Sequence, residues 1–199
     1  MPPATASAAG SGWRQQLRRE MLARRMALPP AVHAAASARI TARLLADFPL
    51  LAQGITGFCW PIRQEPDVRP ALHHWISQGG RAVLPVVVAA HAPLAFREWR
   101  PEQVLPLDRY GIPSPDQGEF LHPQALLLPL NAFDAAGYRI GYGGGYFDRT
   151  LAALQPRPLT IGVGFECCRV ARIRPEAHDE PVDWLVTEAG TFRAGGQAA

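Results

Sequence analysis

The chain has 199 residues and a mass of 21.7 kDa, with 48% apolar and 19% charged residues, so it is expected to be one moderate domain with an ordinary hydrophobic core. That composition excludes disorder over most of its length, and the lack of 18 uninterrupted apolar residues argues against a membrane span. All 20 basic residues are arginine, so any cationic phosphate ligand must be a guanidinium; a net charge of +3 without long basic runs is only weak support for nucleic-acid binding.

Residues 1–12 are small and Pro/Gly/Ala/Ser-rich, without the charged and apolar regions of a secretion signal, and read as a disordered leader. The Arg-rich, acid-poor stretch that follows leaves a transit peptide as the alternative. Leu17, Met21, Leu22 and Met26 recur at helical intervals and predict a first helix over 13–28, ended by Pro29-Pro30. Pro30 opens a second helix through Phe48. Ile55 to Trp60 reads as a buried strand, then Val68 to Gln78 as a helix with Asp67 as N-cap and Gly79-Gly80 as its stop. Strands follow over 81–88 and 94–99. A Pro-rich loop holding Gly111-Ile112-Pro113 leads to a strand over 125–130. A helix over 146–154, strands over 159–165 and 182–187, and a flexible tail over 191–199 complete the chain. Strands alternating with helices predict a single α/β domain over 13–190, three αβα layers with a largely parallel sheet.

Chemistry concentrates in Leu126 to Leu154. A strand and a tight turn lead into Arg139-Ile140-Gly141-Tyr142-Gly143-Gly144-Gly145-Tyr146-Phe147-Asp148. Glycines let a ligand approach the backbone, and the following helix presents free N–H groups and its positive end, so an anion is stabilised there. Arg139 adds a charged donor fork, and Asp148 either complements the helix dipole or holds a divalent cation that bridges phosphates. Taken as glycines alone, a flexible surface turn capped by Asp148 is the alternative. Neither a Walker loop nor a dinucleotide Gly-x-Gly-x-x-Gly phase is present. Cys59, Cys167 and Cys168 form no metal-spaced set, and the adjacent pair fits packing in a reducing compartment. His178 has no second ligand at zinc spacing.

The segment Gly137-Tyr138-Arg139-Ile140-Gly141-Tyr142-Gly143-Gly144-Gly145-Tyr146-Phe147-Asp148 resembles the signature of 5-formyltetrahydrofolate cyclo-ligases, also called methenyltetrahydrofolate synthetases. The likeness runs in order through the basic first helix with Arg14 and Arg18, the stretch Trp60-Pro61-Ile62-Arg63-Gln64-Glu65-Pro66-Asp67, Gly111-Ile112-Pro113, His178-Asp179-Glu180-Pro181-Val182-Asp183 and Val186-Thr187-Glu188. It implies a cytoplasmic enzyme, a monomer that joins no nucleic acid or membrane. Its substrates would be ATP and a folate, its metal Mg²⁺.

By the same resemblance, Arg14, Arg18, Arg139 and the loop from Gly141 through Tyr142, Gly143, Gly144, Gly145 and Tyr146 to Phe147 would hold the nucleotide. Trp60, Glu65, Tyr142 and Tyr146 would meet the folate, Arg139 and Glu65 would act in catalysis, and Asp148 and Asp179 would hold the metal. Each position also has a plainer role: a solvated helical face for Arg14 and Arg18, an exposed turn carboxylate for Glu65, core packing for Trp60 and Phe58. Gly144 stands where some members have Lys, leaving charge on the γ-phosphate to Arg139 or the N-terminal arginines, and Phe147 replaces a common Tyr. A non-catalytic nucleotide- or RNA-binding relative and an ATP-dependent enzyme for another amide-like group are the rival readings.

Overall fold

The computed structural model describes residues 7–196, with side chains from residue 12 onward. Strands β1 (Ile55–Phe58), β2 (Arg81–Val86), β3 (Ala95–Trp99), β4 (Ala125–Pro129), β7 (Leu159–Val163), β8 (Trp184–Val186) and β9 (Thr191–Arg193) form one sheet in the order β3-β2-β1-β4-β7-β8-β9. The inner strands β2, β1, β4, β7 and β8 run parallel, while β3 and β9 close the two edges antiparallel. Helices α2 (Pro30–Asp47) and α3 (Arg69–Ser77) cover one face; α1 (Ser7–Met26) and α4 (Tyr146–Ala153) cover the other. The three αβα layers with a largely parallel sheet are thus present.

Sequence dictates these elements in local terms. In α2, Pro30 is preset for the first helical position, and Ala36, Ile40 and Leu44 recur every four residues to bury one stripe against the sheet. Pro49 follows the last turn and cannot continue it. In α3 the buried stripe is Ala71, Leu72 and Trp75. Strand β4 reads ALLLP and is buried on both faces, as a central parallel strand must be. Leu127 packs toward α2 and α3, and Leu126 and Leu128 toward α1 and α4.

Several boundaries differ from the sequence expectation. Helix α1 begins at Ser7 and ends at Met26, where 13–28 was predicted, because adding residues to an anchored helix needs no new nucleus, and Pro29 disfavours helical geometry before it. Residues 1–6 of the expected leader lie outside the described residues. The expected tail contains β9, which turns back on β8 through a Thr187 N–H to Gly190 carbonyl bond of 2.9 Å; residues 197–199 are not described. Asp67 is not the N-cap of α3. Val68 occupies that place, and Asp67 accepts the Arg69 N–H at 3.0 Å and its guanidinium at 2.7 and 2.8 Å. The two-residue strands β5 (Ala132–Phe133) and β6 (Arg139–Ile140) form a small hairpin that pattern reading misses.

Pairing reverses direction across the sheet at β1 and β4: from β1 the chain crosses to β2 on one side, from β4 to β7 on the other. Such a reversal makes the space beyond the carboxyl ends of these strands the usual ligand position in sheets of this kind. Among the described residues no helix is long and apolar enough to cross a membrane.

Candidate active site

Helix α1 carries Arg14, Arg18, Met21 and Arg25 within about 60° of one another at the helical repeat. Met21, 1% exposed, seats this face on the core, so the neighbouring arginines reach three different loops. Arg14 donates to both carboxylate oxygens of Asp179 and to the Arg174 carbonyl at 3.0 Å, with Glu176 at 3.3 Å. Arg18 Nε donates to the Gly141 carbonyl at 2.6 Å. Arg25 Nε donates to the Arg63 carbonyl at 2.9 Å, and its Nη2 to the Tyr142 hydroxyl at 2.7 Å.

The glycine loop is aimed by the hairpin before it. Asp134 is buried and accepts the N–H groups of Ala136 and Tyr138 at 3.1 Å and of Ile173 at 2.8 Å, which fixes the turn between β5 and β6. Gly137 sits at φ +87° with a would-be Cβ only 2.6 Å from the Val182 carbonyl, so no larger residue fits. Gly141 to Gly144 lie exposed, and Gly143 has φ +98°. Gly145 caps α4 without any side-chain acceptor, leaving the first-turn N–H groups turned toward the loop. Arg149 Nη2 holds the Gly144 carbonyl at 2.5 Å.

Behind the loop, Arg139 Nη2 donates to Asp148 Oδ1 at 3.2 Å and Nη1 to the Glu180 carbonyl at 2.5 Å, with its side chain 6% exposed. The Glu180 N–H donates to the same Asp148 oxygen at 3.3 Å, so Asp148 and Asp179, distant in sequence, occupy one corner of the site. Burial lowers the Arg139 pKa despite the facing carboxylates. Burial also pushes Asp179 up, but Arg14 and the Glu176 N–H outweigh it and hold the carboxyl below its usual range. Among the described residues no three His, Cys, Asp or Glu side chains gather as a metal cage. Two carboxylates fit a magnesium ion only in its common manner, with substrate phosphates and water completing the octahedron.

Glu65 is 5% exposed. The turn that buries it places Arg63 and Gln64 at φ +48° and +56°, a conformation that costs a non-glycine residue about 1–2 kcal/mol. Its Oε2 accepts the Ile62 N–H at 3.0 Å, its Oε1 accepts the Tyr142 hydroxyl at 2.6 Å, and Arg25 Nη2 stands 3.9 Å from Oε1. Burial raises the Glu65 pKa, with Tyr142, the Ile62 N–H and Arg25 opposing it. Burial, reinforced by Glu65, raises that of Tyr142. A cavity of about 20 Å³, room for one water, separates Glu65 from Cys59 and the ends of β4 and β7.

Trp60 lies two residues beyond β1 with one ring face under the Arg69 guanidinium, 4.8 Å from the centroid, and a T-shaped contact to Trp99; Phe58 is wholly core. The Tyr146 hydroxyl is 3.0 Å from that of Tyr110 and accepts from Arg109 at 2.9 Å, which draws the loop holding Gly111-Ile112-Pro113 against the site. Phe147, partly buried, packs against the core between the sheet and helices α1 and α4. Hydrogen bonds thus tie Arg14 to Asp179, Arg18 to the glycine loop, that loop to Glu65 through Tyr142, and Asp148 to the backbone beside Asp179. Sequence reasoning missed Arg25, Arg109 and Tyr110. The spacing of Arg25 from Arg14 and Arg18 carried the signal for the first; the other two follow from a loop excursion that no periodicity announces.

The model of the 5-formyltetrahydrofolate cyclo-ligase family matches residues 10–188. The chain is 29% identical over 171 residues to the 5-formyltetrahydrofolate cyclo-ligase of Escherichia coli strain K12, covering 82% of this chain and 94% of that one. The solved structure of Aquifex aeolicus 5,10-methenyltetrahydrofolate synthetase superposes with a TM-score of 0.80 at 26% identity, over 94% and 95% of the two chains. That of the Mycoplasma pneumoniae synthetase superposes at 0.70 and 22% identity, over 88% and 98%, a likeness of fold.

Proposed function

The chain belongs to the 5-formyltetrahydrofolate cyclo-ligase family, and on that premise we propose that it converts 5-formyltetrahydrofolate and ATP into 5,10-methenyltetrahydrofolate, ADP and phosphate. The observation that carries this reading is the 2.6 Å bond from Tyr142, within the glycine loop, to the buried Glu65. It makes the glycine loop and a buried carboxylate neighbours, which supports a phosphate site beside a folate contact.

In this reading the triphosphate lies along Gly141–Gly145 and the first turn of α4, with Arg14, Arg18 and Arg139 supplying charge. Arg14 and Arg139 now pair with Asp179 and Asp148, so triphosphate binding exchanges a carboxylate for a phosphate on each guanidinium. Asp148 and Asp179 would hold Mg²⁺ together with phosphate oxygens, and the ion would neutralise charge on the transferring group. The formyl oxygen attacks the γ-phosphorus as the bond to ADP breaks. N10 then attacks the activated carbon and loses its proton, and phosphate departs with the former formyl oxygen. Phosphoryl transfer needs chiefly alignment and charge, which fits a site without a nucleophile paired to a base. Glu65 and Tyr142 orient the formyl-bearing ring, with Trp60 and Tyr146 beside it. The proposal includes a monomer in a reducing cytoplasm, a setting that suits three unbridged cysteines.

The test is absorbance of the methenyl product on mixing protein, Mg²⁺, ATP and 5-formyltetrahydrofolate, with ADP measured in parallel. One ADP per methenyl product, and none of either without the folate, is the expected result. Failure to form product overturns the proposal, and ADP formation with a different amide acceptor instead would assign the scaffold to another reaction.

A further inference from the structure

We propose that Arg25 is a positioning residue for this reaction, fixing the direction of the Arg25–Tyr142–Glu65 hydrogen-bond relay so that Glu65 meets the folate as an oriented carboxylate. The inference rests on the reading of Glu65 as a folate contact. Arg25 is 0% exposed, and its head group joins helix α1, the left-handed turn before Glu65 and the glycine loop.

Hydrogen-bond polarity carries the argument. A guanidinium only donates, so the Tyr142 oxygen accepts from Arg25 Nη2 and must spend its single proton elsewhere. That proton goes to Glu65 Oε1 at 2.6 Å, while the Ile62 N–H can only donate to Oε2. Both oxygens of Glu65 therefore accept, and the groups facing them, the Ile62 N–H, the Tyr142 hydroxyl and Arg25, offer no acceptor for a carboxyl proton, an arrangement that opposes the burial favouring the neutral acid. The other groups near Glu65 are the Cys59 thiol, raised by burial and neutral, the His33 ring 3.1 Å from the Glu65 carbonyl, and Arg63 stacked on the Tyr142 ring. Arg25 is the one fully buried cation of this group. Its Nη1 has no hydrogen-bond partner, a cost that packing alone would avoid with an apolar side chain.

The test compares wild type with Arg25→Met, Arg25→Lys and Tyr142→Phe. Removing a cation raises the pKa of a facing carboxylate, so Arg25→Met should move the acidic limb of kcat/KM for the folate upward by about one pH unit or more. The KM for ATP should stay within about twofold. Arg25→Lys should restore most of the limb, and Tyr142→Phe should shift it the same way by less. A folded Arg25→Met protein with the wild-type limb and folate KM overturns the proposal. If Arg25→Met does not fold, an unshifted limb in Tyr142→Phe overturns it. The ¹³C carboxyl titration of Glu65, followed without substrates, decides the relay even if wild type proves to have no turnover. An upward shift in Arg25→Met or Tyr142→Phe supports it, and an unchanged titration in both refutes it.

Discussion

Arg139 and Glu65 both lie where burial disfavours the charged form, lowering the pKa of the first and raising that of the second. Preorganised charges act on a transition state without reorganisation, and loss of one such donor costs on the order of 3 kcal/mol, about 100-fold in rate. Arg139→Met should accordingly lower kcat about 100-fold while circular dichroism and folate binding stay near wild type. On the proposed metal role, Asp148→Asn takes away one of two carboxylates, and the Mg²⁺ concentration giving half-maximal activity should rise about tenfold, read by metal titration at saturating ATP. At this scale the sequence was informative wherever residues form a contiguous signature: Arg139, Gly143 and Asp148 fall within ten positions. Arg25 was harder to see because basic residues on a helix usually face water: its spacing puts it on the face of Arg14 and Arg18, but its burial beside the exposed Arg24 comes from tertiary packing.

The glycine loop works as an element because its backbone adopts conformations closed to other residues. An alanine at Gly143 would be held at φ +98°, with its Cβ 3.3 Å from the Arg18 guanidinium. Gly143→Ala should raise the KM for ATP about tenfold, since the strain of about 1–2 kcal/mol falls on the loop. Thermal unfolding should change little, because the position is exposed. Longer elements were readable from the chain: α2 and α3 announce themselves by prolines at their starts and apolar residues every three or four positions. Strands β5, β6 and β9 were not readable, since two or three residues hold no period and their pairing depends on the Asp134 turn and on the edge offered by β8.

Across the whole molecule, cohesion between β7 and β8 depends in part on charge. Arg169 holds Glu166 below its usual pKa against burial, with the Thr187 hydroxyl adding a 2.6 Å bond across the sheet ends. A carboxyl depressed in the folded state contributes stability above its unfolded pKa, and that contribution is lost as pH falls through the lower, folded value. Melting temperature should therefore fall in acid, below about pH 4.3, and Glu166→Gln should flatten that fall while lowering the plateau near neutrality, measured by thermal scans across pH. The layered α/β architecture was legible from alternating apolar runs. The order of strands was not, and the pairing of Asp148 with Asp179 came only through the family resemblance, because neither is encoded within any local window.

One feature of α1 governs how the site comes apart. A single helix touches the acidic corner through Arg14, the glycine loop through Arg18 and the Glu65 turn through Arg25. Peeling it from the sheet undoes three clasps at once. Amide deuteration at 62–65, 141–145 and 176–180 should then share one opening event, and a catalytic centre assembled this way is either whole or absent.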